Sequence, residues 1–314
     1  MTHTELPSGW TLVHPTPDDL DRVTDYLIAF DLAASSQADT TRADVEYEWS
    51  RDGFQLAEDA WMLLTPESRI AGYCDLWLDG SDLYISPNTN ILPEYLEQVS
   101  PGIFYQLALE KAAQMSEVSR LKTISVVESS EPILLSLGFE AIQVQWRMEI
   151  RLKEAPPVPV WPAGYHLRPF DREQDAREVF EVIETAFQEL PHRRGNTFEG
   201  WEKFILERSD FEPELLKVVE KDGEICAVAI GFDAPIGGWV RQLAVKKAHR
   251  GHGLAINLLH QLFGEFHARG RDNVGLTVDS ENRTGAPEVY QRAGMSPVQN
   301  FVTYVKNNPS RLEG

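Results

Sequence analysis

The stretch His249-Arg250-Gly251-His252-Gly253-Leu254-Ala255 decides how this chain is read. Two glycines one residue apart follow an arginine and lead into an apolar periodic run. In front of them, Trp239-Val240-Arg241-Gln242-Leu243-Ala244-Val245 reads as a buried strand. Strand alternation would put Trp239, Arg241 and Leu243 on one face of it. Behind the turn, Leu254, Leu258, Leu262 and Phe266 recur every four residues, with Ala255, Leu259 and Phe263 beside them. One face of a helix is therefore apolar, while Asn257, His260, Gln261 and Glu265 turn elsewhere. The motif is a strand–turn–helix junction whose turn sits at the helix N-terminus.

Backbone N–H groups at that end lack intrahelical partners and carry the positive end of the helix dipole. Glycine keeps Cβ atoms out of a ligand's path and Arg250 adds charge, which suits a phosphate or diphosphate. A tight turn with no ligand is the competing reading. Two nucleotide motifs are excluded: position 256 is isoleucine where a dinucleotide fingerprint needs glycine, and no Gly-Lys-Ser/Thr follows. His249 and His252 have no third ligand placed to join them, so they read as turn histidines and no metal site is expected.

The 314 residues have room for two ordinary domains. The segment 154–164, EAPPVPVWPAG, has four prolines and no periodicity, and reads as a linker. On either side the chain follows one plan. Gly9-Trp10-Thr11-Leu12-Val13-His14-Pro15 corresponds to Gly164-Tyr165-His166-Leu167-Arg168-Pro169, and a helix follows each. Second helical stretches lie near 42–52 and 198–208. Apolar runs broken by a polar turn, 59–78 and 215–233, read as hairpins. Leu134-Leu135-Ser136-Leu137-Gly138-Phe139 answers Tyr290-Gln291-Arg292-Ala293-Gly294-Met295, and a strand ends each half. The expected order, β-α-α-β-β-β-α-β-α-β, is an α/β fold, used twice, with a central mixed sheet flanked by helices. The expected division is 1–153, a linker at 154–163, and 164–314.

A hydrophobic content of 42% and a charged content of 25% are globular values. Residues 1–154 carry 10 Lys/Arg against 26 Asp/Glu, and residues 155–314 carry 19 against 23. Such acidity repels phosphate backbones, so nucleic acid is not an expected partner. No run has the length of a membrane span, and the N-terminus lacks the pattern of a signal peptide. Cys74 and Cys226 lie in apolar runs without metal-ligand spacing, the pattern of buried thiols in a reducing cytoplasm. Phe187, Phe198, Trp201 and Phe204 have core-like helical spacing and read as packing.

Leu243-Ala244-Val245, followed by Arg250-Gly251-His252-Gly253-Leu254-Ala255, resembles the acyl-CoA signature of the GCN5-related N-acetyltransferases, Arg/Gln-x-x-Gly-x-Gly/Ala. Leu276-Thr277-Val278-Asp279-Ser280-Glu281-Asn282, with Val289-Tyr290-Gln291-Arg292-Ala293-Gly294-Met295 after it, is similar to the family's last strand–helix element. The duplicated plan is similar to the tandem acetyltransferases of mycothiol-synthase type. This resemblance implies acetyl-CoA as cosubstrate and a small-molecule amine as acceptor, attacked directly and without a covalent enzyme intermediate. It implies that the backbone at Leu243, Ala244 and Val245 holds the acetyl group and pantetheine arm. The turn Arg250 to Ala255 would cradle the diphosphate, Asn282 would lie near the cofactor, and Tyr290 would reach the sulfur as general acid.

The first half departs from that pattern. After its strand at 82–86 the chain runs Ile85-Ser86-Pro87-Asn88-Thr89-Asn90-Ile91-Leu92-Pro93, with two prolines and no arginine. Leu134 stands where the second half has Tyr290. One competent site, in the second half, is the expectation. No carboxylate lies on the strand 239–245, so the base is sought among Glu189, His192, Asp279 and Glu281, or in a water chain. The acidic first half tilts the acceptor toward a cationic amine, and Arg193, Arg194 and Arg241 toward an anionic group on it. The rival reading is a non-catalytic acyl-CoA-binding or sensing protein.

Overall fold

The computed structural model describes residues 6–35, 38, 40–87, 89–125, 130–190, 195–234, 236–282 and 284–308. Compact packing divides the chain into Met1–Val144 with Phe301–Gly314, and Gln145–Asn300. Along the first repeat run β1 (Thr11–Val13), α1 (Leu20–Ser35), α2 (Arg42–Trp49), α3 (Leu56–Asp59), β2 (Ala60–Leu64), β3 (Ile70–Asp79), β4 (Asp82–Ile85), β5 (Asn90–Ile91), α4 (Gly102–Gln114), β6 (Arg120–Ser125), α5 (Glu131–Ser136) and β7 (Glu140–Arg151). The second repeat has β8 (His166–Pro169), α6 (Arg172–Phe187), α7 (Phe198–Ile205), β9 (Leu216–Lys221), β10 (Glu224–Ala234), β11 (Gly237–Val245), α8 (Leu254–Ala268), β12 (Asn273–Asp279), α9 (Ala286–Arg292) and β13 (Ser296–Asn307).

In the first unit the sheet order is β1-β2-β3-β4-β6, with β5 also on β3. It is closed by Val302–Asn307 of the chain's last strand, antiparallel to β6. In the second unit the order is β8-β9-β10-β11-β12, closed by residues 145–151 of β7, antiparallel to β12. Each unit is thus completed by the strand that ends the other repeat. A cut at the proline-rich segment follows the order of the repeats; packing follows the pairing of their last strands.

Local chemistry explains the second unit's elements. Asp171 caps α6 by accepting from the backbone N–H groups of Glu173 and Gln174, and Thr197 caps α7 through Gly200 N–H. Asp222 and Gly223 take the left-handed conformations of a two-residue hairpin turn between β9 and β10. The sheet is covered on both faces. One face packs on α6 and α7 through Val179, Val182, Ile183, Trp201 and Ile205. The other packs on α8 and α9 through Leu254, Leu258, Leu262, Phe266 and Tyr290. The four-residue repeat of α8 is the core face that the sequence predicts. Phe266 lies so close over β11 that any side chain at Gly238 would overlap its ring. Glycine there lets α8 lie near the sheet, which sets where its first turn falls. Cys74 and Cys226 are both buried free thiols. Among the described residues no helix is long and apolar enough to cross a membrane.

Candidate functional site

The second unit opens at one place in its sheet. β11 pairs with β10 from Gly237 to Val245, but Gly231 faces Val240 and Ile230 faces Gln242, so Arg241 is an extra, bulged residue. On its other edge β11 pairs with β12 only at Gly238–Val274 and Trp239–Gly275. A bulge bends its strand and ends regular pairing. Beyond it, the edge of β11 from Gln242 to Val245 has no pairing with β12.

The bulge also corrects the expected alternation. Trp239 packs with the α6–α7 cluster, whereas Leu243 packs on the α8 side, so the two face opposite ways. Arg241 and Gln242 both reach α7: the Arg241 guanidinium lies 4.3 Å from the Phe204 ring centroid, and Gln242 accepts from Trp201 Nε1 at 2.9 Å. Trp201 and Phe198 also pack against Phe180, with ring centroids 5.8 and 5.7 Å away, so these aromatics serve as core.

The chain leaves β11 through a tight turn into α8. Gly251 and Gly253 have φ of +80° and +78°, left-handed conformations in which glycine alone is unstrained. A Cβ at Gly251 would meet nothing within 4 Å, and one at Gly253 only the fringes of Asn257 and Ile256. The space before the helix start is open. Arg250 Nε donates to Val245 O at 3.1 Å, and its two terminal nitrogens fork onto Glu189 at 2.8 and 3.0 Å. His252 Nδ1 lies 3.0 Å from Arg250 O, closing the turn on itself.

Two anchors of this turn have no motif to announce them. Tyr165, nearly fully buried, places its hydroxyl 3.0 Å from His249 Nδ1. Asn257, on the first turn of α8, accepts from Val160 N at 3.2 Å and donates to Val160 O at 2.8 Å. Only the sequence's aromatic opening of β8 and its polar helix face hinted at either.

Across the opening, β12 ends at Asp279, a buried carboxylate whose Oδ1 accepts from Glu281 N at 2.8 Å. Asn282 follows; its Oδ1 accepts from Thr284 N at 2.8 Å and Thr284 Oγ1 at 2.6 Å. Tyr290 sits on α9 with 9% exposure, and burial alone pushes its phenol up to about 12. It is therefore a protonated donor at neutral pH. Glu189 is the opposite case: hydrogen bonds from Arg250 hold its carboxyl below the usual range. Glu281 is exposed. His192, Arg193 and Arg194 lie outside the described residues.

In the first unit the corresponding stretch is built otherwise. From Ser86 the chain passes through β5 and on to Pro101 before α4 begins, and no left-handed glycine occurs there among the described residues. Leu134, at the place of Tyr290, is fully buried.

Residues 176–295 match the acetyltransferase (GNAT) family. The second repeat therefore carries a GNAT acetyltransferase domain. A mycothiol acetyltransferase of Catenulispora acidiphila is 25% identical over 254 residues, 76% of this chain and 79% of that protein. A GCN5-related N-acetyltransferase from Sphaerobacter thermophilus superposes with a TM-score of 0.76 at 26% identity, covering 97% of each chain. A tandem GNAT protein from the clavulanic acid biosynthesis pathway shares the fold, with a TM-score of 0.73 at 17% identity over 95% of this chain and 98% of its own. This acetyltransferase is an acyl-transferring enzyme with acetyl-CoA as cosubstrate, and its open turn fits a diphosphate: donors at a helix start, no Cβ in the way and an arginine beside it.

Proposed function

We propose that this GNAT acetyltransferase acetylates a primary amine of a small molecule at a single site in its second unit. The observation that carries the reading is the pair of left-handed glycines opening α8 beside the unpaired edge of β11. Gly251 to Ala255 would hold the diphosphate by backbone N–H groups, with Arg250 as the nearby cation. The free edge at Leu243, Ala244 and Val245 would take the pantetheine arm and orient the acyl carbonyl. Acetyl-CoA supplies a thioester, which an amine attacks directly when the two are held in line. Backbone donors along β11 would stabilise the oxygen as charge develops on it.

Tyr290 would give a proton or a hydrogen bond to the departing sulfur, since its phenol keeps its proton at neutral pH. Asn282 would sit near the cofactor, its amide N–H₂ being the donor end, since its carbonyl oxygen already serves Thr284. Asp279 is kept as the proton acceptor for the attacking amine. Glu189 is a weak base while its carboxylate is forked by Arg250. The acceptor is read as a small cationic amine from the acidic balance of the first repeat.

The test is release of free CoA thiol from acetyl-CoA across a panel of small amines. Amine-dependent release is the expected result. Tight cofactor binding with no release for any amine would favour an acyl-CoA-binding protein instead.

A further inference from the structure

We infer that Glu189 is a positioning residue for the cofactor cradle: it holds the Arg250 guanidinium in the one orientation that presents its free N–H groups to the diphosphate. This rests on the cofactor site proposed above and adds a residue that no signature motif includes. Glu189 follows α6, 61 positions before Arg250, so the contact joins two separate elements of one unit. Arg250 has five N–H donors. One goes to Val245 O, and one from each terminal nitrogen goes to Glu189. Two remain, on a plane now fixed at both ends.

The pair does little for folding. Its partners are 31% and 35% exposed, and ion pairs that wet contribute almost nothing to stability. What a bidentate fork does supply is orientation. A free arginine would have to be immobilised when the cofactor binds, and that ordering weakens binding. Here the ordering is done in advance. Lys246, one of the two lysines that precede the turn, is tied to Glu178 and Glu224 at 3.2 and 2.9 Å, while Lys247 lies near enough to Glu189 to help hold its carboxyl ionised.

A carboxylate near a diphosphate is also a like charge, and this gives the test its sign. If Glu189 merely occupied the fork until the cofactor displaced it, removing it would tighten binding. If it positions Arg250, removing it weakens binding, and only while Arg250 is present. Calorimetric titration of acetyl-CoA into the wild type, E189A, R250A and the double variant separates these cases. The expected result is a Kd about 3- to 10-fold weaker for E189A. E189Q, which keeps one acceptor for the fork, should fall between E189A and wild type. The double variant should bind no worse than R250A alone, because the effect passes through the arginine. Tighter or unchanged binding by E189A, or additive losses in the double variant, would overturn the inference. A wild type that binds no acetyl-CoA would instead overturn the cofactor reading beneath it.

Discussion

Tyr290 is the side chain whose chemistry and packing predict opposite results. Its ring belongs to the core between α8, α9 and β12, and its hydroxyl carries a proton that burial holds on up to about pH 12. Replacing it with phenylalanine keeps the ring and its contacts. Loss of the proton donor should then cost turnover by roughly 10²–10⁴-fold, with cofactor affinity little changed. A purely structural tyrosine would show the reverse: stability altered by about 1 kcal/mol and turnover per folded molecule at the wild-type level. Measuring kcat and the thermal midpoint on one preparation of Tyr290→Phe distinguishes the two. Because its pKa is raised, the phenol stays protonated through neutral and mildly alkaline pH. Any loss of rate in that range should therefore persist in Tyr290→Phe, and its disappearance would assign the titration to Tyr290.

At the scale of elements, the junction of β11 and α8 was legible because each half obeys a local rule. The apolar repeat from Leu254 to Phe266 gave the helix, and the two glycines gave the turn. The bulge at Arg241 was not legible. Alternation assumes one residue per partner, and the extra residue is defined only by the pairing with β10, so Leu243 faces the side opposite to that expected. The ends of β7 and β13 hid in the same way, since an alternating strand fits the edge of either sheet equally well. Tyr165 and the Glu189–Arg250 fork are long-range contacts that no spacing encodes. The turn itself makes a prediction. Gly253→Val puts a branched side chain into the open space before α8, at a φ that costs a non-glycine residue about 1–2 kcal/mol. Acetyl-CoA affinity should collapse while circular dichroism stays native. Unaltered affinity in a folded variant would remove residues 250–255 from the cofactor site.

At the scale of the molecule, the repeats keep the same backbone devices where these serve the fold and differ where they would serve a ligand. Gly9 and Gly164 have φ of +82° and +84°, and Gly138 and Gly294 have +78° and +93°. Gly251 and Gly253 have no such counterparts, and Leu134 fills the place of Tyr290. A helix start without exposed donors and without a cation is a poor diphosphate site, so the first unit should not take up a second cofactor. Titration of acetyl-CoA should accordingly saturate at one per chain, and Gly253→Val should abolish all heat of binding rather than half of it. Two sites in the wild type, one of them surviving in Gly253→Val, would assign a cofactor to the first unit despite its missing cradle. The same titration followed by thermal unfolding locates the bound ligand. Binding to the native second unit alone stabilises it by about 2.7 kcal/mol at a hundredfold excess over Kd, and a first unit that binds nothing gains nothing directly. If the two units unfold separately, only one transition should move with cofactor concentration.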